Sequence, residues 1–261
     1  MEKEVQTDVT KNIENIETQR IEPTQLEVVQ NDALTIEEIE TGLVYNGSMV
    51  RVADISEEFR KVIEPILRMY NAAMNVTTAR IEIIKDESRY KNVRCPVHHI
   101  DTRLKSAGSI LGKLQKKNLD LTIGAACNNI YDIAGVRIVC PYIKDVYFIR
   151  DRILAQDDIE VMKVKDYIEH PKENGYRRYH LIIRVPVFFM NKKQMVPVEI
   201  QIRTMAMDLW ASLEHDISYK AINSKGEYQG DYSEFREELT ECSRLIYEAE
   251  EKMERMNSML E

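Results

Sequence analysis

The residues Val196 to Arg203 read Val-Pro-Val-Glu-Ile-Gln-Ile-Arg, apolar and polar in strict alternation. In an extended strand that period puts Val198, Ile200 and Ile202 on one face and Glu199, Gln201 and Arg203 on the other. A carboxylate, an amide and a guanidinium in one row can hold a metal and a polyanion. The same row also fits a solvent-facing strand with a cross-strand ion pair, and the eight residues alone leave both readings open.

Three other segments carry side chains suited to phosphates. In Arg103-Leu-Lys105-Ser-Ala-Gly-Ser109-Ile-Leu-Gly-Lys113, a helix starting near Ser106 or Ser109 places Ser109 and Lys113 on one face, with Arg103 and Lys105 just before its N-terminus. The free amides and positive dipole end of a helix attract anions, and Gly108 lets a ligand approach the backbone; a solvated basic helix capped by Ser is the other reading. Tyr131-Asp132-Ile-Ala-Gly-Val-Arg137-Ile-Val-Cys140 reads as a turn feeding a buried strand that stops at Pro141. Arg137 alternates with its apolar neighbours, and so needs either a structural carboxylate or a bound phosphate. In Lys172-Glu-Asn174-Gly175-Tyr176-Arg-Arg-Tyr-His180, Asn-Gly signals a turn. An aromatic beside cations on such a loop can hold a base and its phosphates, or be an incidental part of a hairpin.

These segments must be positioned by ordinary elements. Phe59, Val62, Ile63, Ile66, Leu67, Tyr70, Met74, Ile81 and Ile84 recur at helical steps, with Asp54 and Glu57 spaced as a capping box and Pro65 expected to kink or divide the helix. Asp145 to Ala155 is helical, and Met162 and Val164 alternate with Lys163 and Lys165 as a short strand. The Asn191-Lys-Lys turn predicts an antiparallel hairpin of Leu181–Val187 with Val196–Arg203, which would put His180 and Arg184 on the face of Glu199. Met205 to Ala221 is expected as a helix with Leu209, Trp210, Leu213 and Ile217 inward. A last helix, opened by Asp231 as N-cap with Glu234, carries Phe235, Leu239, Cys242, Ile246 and Met253 in one stripe and ends rich in Met. The His215-Asp216 pair has no second histidine cluster placed to complete a metal site, and reads as helix surface.

The net charge of −8 lies in the first 45 residues, where eleven acids face three bases; the remaining 33 bases and 33 acids cancel. The overall acidity therefore does not argue against an anionic ligand in the body. Residues 1–45 are expected to be an acidic, disordered extension, because their apolar content is too low to offset the entropy of ordering. Cys95, Cys127, Cys140 and Cys242 are scattered without zinc spacing, which fits a reduced, cytoplasmic protein. No apolar run approaches a membrane span or an export signal.

Taken together, Arg103-x-Lys105-x-x-x-Ser109-x-x-x-Lys113, Asp132-Ile-Ala-Gly-Val-Arg137, Lys172-x-Asn174-Gly-Tyr176-x-x-x-His180 and Glu199-Ile-Gln-Ile-Arg203 resemble, in this order, the synthetase domain of the RelA/SpoT homologue family. The layout is similar to the small, RelQ-type alarmone synthetases, over about Ser56 to Met256. The resemblance implies an α/β (α+β) fold, a nucleotidyltransferase-like mixed β-sheet flanked by helices. A synthetase domain would occupy 46–225, and 226–261 would form a helix for oligomerisation.

The implied activity is that of a GTP pyrophosphokinase, moving the β,γ-pyrophosphate of ATP to the ribose 3′-hydroxyl of GTP or GDP to give (p)ppGpp and AMP. By the same resemblance, Arg103, Lys105, Ser109, Lys113 and Arg137 would bind ATP. Lys172, Asn174, Tyr176, His180, Gln201 and Arg203 would bind GTP or GDP, with Tyr176 stacked on guanine. Asp132 and Glu199 would hold Mg²⁺, and Glu199 would also take the proton of the attacking hydroxyl. Two carboxylates within a ring of Arg and Lys are what such a transfer requires. A homotetramer, with alarmone or single-stranded RNA as regulator, is a further implication. Transfer to another 3′-hydroxyl, on an adenine nucleotide or the tRNA 3′ end, is an alternative, as is a non-catalytic nucleotide or RNA binder. One position departs from the pattern: two residues after Tyr176 stands Arg178, where many relatives carry serine.

Overall fold

Strands β1 (Leu43–Tyr45) and β2 (Ser48–Val50) pair as a short antiparallel hairpin ahead of helix α1 (Val52–Tyr90). In this computed structural model the described residues are 43–45, 48–50, 52–189, 191–223 and 232–260. The acidic extension expected over 1–45 therefore lies outside them except for β1, as does the Asp231 cap. The side chains of the expected Asp54–Glu57 capping box are also outside, though α1 already includes both residues in its helix. Pro65 does not divide α1, which continues through it for 39 residues. The buried stripe Phe59, Ile63, Tyr70, Met74, Ile81 and Ile84 ties α1 to the core on both sides of the proline, and that packing outweighs one missing backbone bond.

After α1 come β3 (His99–Leu104), α2 (Ala107–Lys116), α3 (Ile123–Asn129), β4 (Ala134–Cys140) and α4 (Ile143–Leu154). The chain continues with β5 (Glu160–Asp166), β6 (Tyr179–Phe189), β7 (Lys192–Thr204), α5 (Met205–Asn223) and α6 (Tyr232–Ser258). Strands β3 to β7 form one mixed sheet in the order β3-β4-β7-β6-β5, with β4 and β7 parallel and the other neighbours antiparallel. The β6–β7 hairpin turns at Asn191, whose φ of 62° suits asparagine. Strand β3 and helix α3 carry no clear period in the sequence: β3 is an edge strand with polar, exposed Asp101, Thr102 and Arg103, and α3 has only seven residues.

One face of the sheet is core. Val198, Ile200 and Ile202 are fully buried there with Leu181, Ile183, Val136 and Ile138, under α1 and α4. Each such side chain contributes about 1.5–3 kcal/mol on burial. The same period that fixes this face turns the polar members of β4, β6 and β7 to the other side.

Two apolar stripes differ from expectation. Of the four α5 residues expected inward only Trp210 is buried, with Met207 beside it, whereas Leu209, Leu213 and Ile217 are exposed. On α6 the stripe is partly turned to the body, with Phe235, Leu239 and Ile246 half-buried beside the buried polar Ser243 and Glu250, while Cys242 and Met253 are exposed. The indole N–H of Trp210 donates to the Leu239 carbonyl of α6 at 3.0 Å, which fixes how the two helices meet.

Candidate active site

The open face of the sheet gathers the polar rows. Register aligns His180, Gln201, Arg137 and Asp101 across β6, β7, β4 and β3, and aligns Ile182, Glu199, Gly135 and Arg103 in the next row. Paired residues share a face, so these side chains look into one space. Gly135 contributes no side chain, leaving the face clear between Glu199 and Arg103, about 10 Å apart at two strand spacings.

Glu199 is the centre of a hydrogen-bonded chain. Its Oε1 is 2.7 Å from His180 Nε2, and its Oε2 accepts from Gln201 Nε2 at 2.6 Å. The Gln201 Oε1 accepts from Arg203 Nη2 at 2.8 Å, and Arg203 Nη1 donates to Asp208 Oδ1 at 3.1 Å. Burial would raise the Glu199 carboxyl, but the bonds from His180 and Gln201 outweigh it and hold the group below the usual glutamate value. Arg203 is only 4% exposed. Its guanidinium is taken up by Gln201 and Asp208.

Asp132, just ahead of β4, is gripped by two ammonium groups: Lys105 Nζ at 3.0 Å and Lys113 Nζ at 2.8 Å, both on Oδ2. Burial opposes ionisation, yet Lys113 and Lys105 together pull the acid below its ordinary value. Its other oxygen, Oδ1, is buried and has no hydrogen-bond partner. Ser106, not Ser109, caps α2, accepting from the Ser109 amide at 3.3 Å; the Ser109 hydroxyl stands 2.9 Å from that of Ser106. A Cβ at Gly108 would meet nothing within 4 Å, so the helix end is open. Arg103 is exposed on β3 beside it.

Arg137 was expected to need a partner, and Asp208 of α5 stands 3.6 Å from its Nη1. One carboxylate thus serves both Arg137 and Arg203. Asp208 was not singled out in the sequence, where an acid in the first turn of a helix is ordinary and nothing marks it as facing β4.

The loop between β5 and β6 presents Lys172, Asn174 and Tyr176. Asn174 Oδ1 accepts from the Tyr176 amide at 3.3 Å, closing a turn in which Gly175 has φ +81°. Helix α6 holds the loop from behind, with Thr240 Oγ1 donating to the Glu173 carbonyl and Ser243 Oγ to that of Gly175. The Tyr176 ring meets Trp210 at 6.1 Å, and Lys172 Nζ lies 5.2 Å from its centre. Sequence reasoning missed Trp210, Thr240 and Ser243 as supports because they lie 34 or more residues away in the chain.

Among the described residues no three His, Cys, Asp or Glu side chains stand together as a ligand set. His215 and Asp216 are exposed on α5. The carboxylates that could share a cation with a bound polyanion are Asp132, with its unpartnered oxygen, and Glu199. No helix among the described residues is long and apolar enough to cross a membrane.

Residues 102–224 match the family described as "Region found in RelA / SpoT proteins". The chain is 40% identical over 187 residues to the GTP pyrophosphokinase YwaC of Bacillus subtilis, covering 72% of this chain and 86% of that protein. It is 34% identical over 157 residues to the GTP pyrophosphokinase YjbM of the same organism, covering 60% and 73%. Among solved structures, the small alarmone synthetase 1 of B. subtilis bound to its product pppGpp superposes with a TM-score of 0.66 at 28% identity, over 78% of this chain and 98% of that one. The small alarmone synthetase 2 of B. subtilis gives 0.64 at 39% identity, over 74% and 97%.

Proposed function

The chain belongs to the RelA/SpoT family, and from that premise we propose that it is a GTP pyrophosphokinase that joins the β,γ-pyrophosphate of ATP to the 3′-oxygen of GTP or GDP. One observation carries this reading most directly: a largely buried Glu199, held ionised by His180 and Gln201, stands on the sheet face that also presents Arg137 and Arg203, while Asp132, ahead of β4 between Lys105 and Lys113, keeps an unpartnered oxygen. A protein that only bound polyanions would have no use for carboxylates there.

ATP lies against Arg103, Lys105, Ser109 and Lys113 at the open end of α2, with Arg137 reaching its phosphates from β4. The acceptor lies against the Lys172–Tyr176 loop, its guanine stacked on Tyr176 and its phosphates held by Lys172, Asn174 and His180. The 3′-hydroxyl then faces Glu199, whose carboxylate takes the proton as the oxygen attacks the β-phosphorus and the bond from that phosphorus to the α,β-bridging oxygen breaks, releasing AMP. His180 and Gln201 hold the carboxylate ionised and aimed. Asp132 and Glu199 are the residues that would hold Mg²⁺, and the orphaned Asp132 Oδ1 fits that use; few carboxylates plus substrate phosphates are the usual Mg²⁺ environment. When bound, that ion neutralises the transferring phosphates and acidifies the acceptor hydroxyl, so a carboxylate of low basicity suffices.

Residues 46–225 act as the synthetase domain and 226–261, which contains α6, as the assembly segment of a cytoplasmic homotetramer, with alarmone or single-stranded RNA as candidate regulators. The exposed α5 stripe, Met205, Leu209, Leu213 and Ile217, and the α6 stripe, Leu245, Met253 and Met256, support assembly. The deciding experiment is AMP release from ATP in the presence of GTP, with GDP, excess ATP and tRNA as competing acceptors and the products identified. No AMP with any guanine nucleotide would refute the reading.

A further inference from the structure

Arg178 has no part in the machinery described so far, yet it stands in the acceptor half of the site. It precedes β6 by one residue, and its carbonyl accepts from the Tyr167 amide at 2.9 Å, which continues the β5–β6 ladder. Its neighbour Tyr179 is buried on the core face, so alternation turns Arg178 to the open face. There its guanidinium carbon lies 5.1 Å from the centre of the Tyr176 ring. Its charge helps to lower Glu199, Arg203 and Tyr167, which places it within electrostatic reach of all three.

The group lacks a counter-charge. Its Nε is buried with no hydrogen-bond partner, and no carboxylate stands within ion-pairing distance of it among the described residues. Lys172 Nζ, 5.2 Å from both the Tyr167 and Tyr176 ring centres, and Lys165 Nζ, which donates to the Tyr167 hydroxyl at 2.9 Å, flank it in the same condition. Glu199 does not pair with it: the Glu199 carboxylate is turned to His180 and Gln201. A planar fork of donors in a partly buried, cation-rich corner is a site for a bidentate anion.

Sheet order says which anion. The cations assigned to ATP lie at the β3–β4 edge and Arg178 lies at the opposite, β6–β5 edge, with Glu199 between them on β7. An acceptor whose 3′-hydroxyl faces Glu199 and whose base lies on Tyr176 has only its 5′-phosphates left to meet Arg178. We propose that Arg178 is a specificity-determining residue that reads the acceptor's 5′-phosphate chain and favours acceptors carrying more 5′ charge. This rests on the pyrophosphokinase reading.

The test is kcat/KM of the full chain for GTP, GDP and GMP at saturating ATP, in the wild type, Arg178→Ser and Arg178→Lys. Loss of a charge-assisted bidentate contact is expected to lower the GTP:GMP ratio about tenfold or more in the serine variant. The lysine variant, which keeps the charge and loses the fork, should fall between. A ratio within about twofold of wild type would overturn the proposal, even if all three rates dropped together, because a uniform loss means a structural role or a contact to the transferred group. If Arg178→Ser does not fold, Arg178→Gln gives the same comparison. If the wild type releases no AMP with any acceptor, the catalytic reading fails by itself, and the ratio of GTP to GMP affinity measured by calorimetry still decides the role of Arg178.

Discussion

His180 and Glu199 meet on a diagonal of the β6–β7 ladder: Nε2 lies 2.7 Å from Oε1, although the residue directly across from His180 is Gln201 and the one across from Glu199 is Ile182. The diagonal leaves Gln201 free to hold the other carboxylate oxygen, so one acid is fixed from two sides. That fixation underlies the first two predictions.

Glu199→Gln should leave the fold intact and lower AMP formation by about 10²–10⁴-fold, the range for removing a positioned base. Steady-state turnover with ATP and GTP measures it, and wild-type rates would remove Glu199 from the role of base and metal ligand.

The acid limb of kcat should respond to His180. Burial alone raises the Glu199 carboxyl, and its net position below the usual range depends on the His180 and Gln201 bonds. Turnover should therefore not decline through loss of this base above about pH 5, and His180→Ala should move the acid limb to higher pH. Stability follows the same sign: Glu199 and Asp132 are both lowered, so their contribution is present above the unfolded carboxylate values and lost as pH falls through the folded ones. A pH–rate profile unmoved by His180→Ala would contradict this coupling.

Tyr176→Ala should raise the KM for GTP by about tenfold or more, as loss of a base-stacking ring does, with a smaller change in the KM for ATP. Equal changes in the two would show that Tyr176 does not belong to the acceptor alone.

Gly175→Ala should destabilise the chain and loosen the acceptor loop together. The residue sits at φ +81°, and a Cβ there would stand 2.6 Å from Ser243 Cβ on α6. The left-handed backbone alone costs a non-glycine residue about 1 kcal/mol or more, and the clash must push α6 or the loop away. Thermal unfolding with GTP KM values reads both effects; a midpoint and KM equal to wild type would show that the contact yields freely.

Leu213→Lys combined with Met253→Glu should reduce the mass seen by analytical ultracentrifugation. Both residues are more than half exposed in the single chain. A wild-type protein that is already monomeric, or a variant with unchanged mass, would dissociate these stripes from assembly.

Much of the site was legible because a strand's period is rigid. Once Val198, Ile200 and Ile202 are assigned to the core, Glu199, Gln201 and Arg203 have no freedom about which side they take, and the Asn191 turn carries His180 to the same side. Helices gave less: the apolar stripe of α5 was read as inward, but a period of 3.6 reports that a stripe exists without saying what covers it. The supporting roles of Asp208, Trp210 and Ser243 were invisible for a related reason, since each acts on a partner brought near by the tertiary fold.

The sequence by itself determined which residues could handle phosphate and which face of β7 they occupy, because alternation and residue chemistry are local. Only the tertiary structure decided that Asp132 keeps one oxygen unpaired, that Asp208 is shared by two arginines and that Arg178 stands without a counter-charge beside Tyr176. Those are properties of distance between separate elements, set by sheet order and helix packing, and no local pattern encodes them.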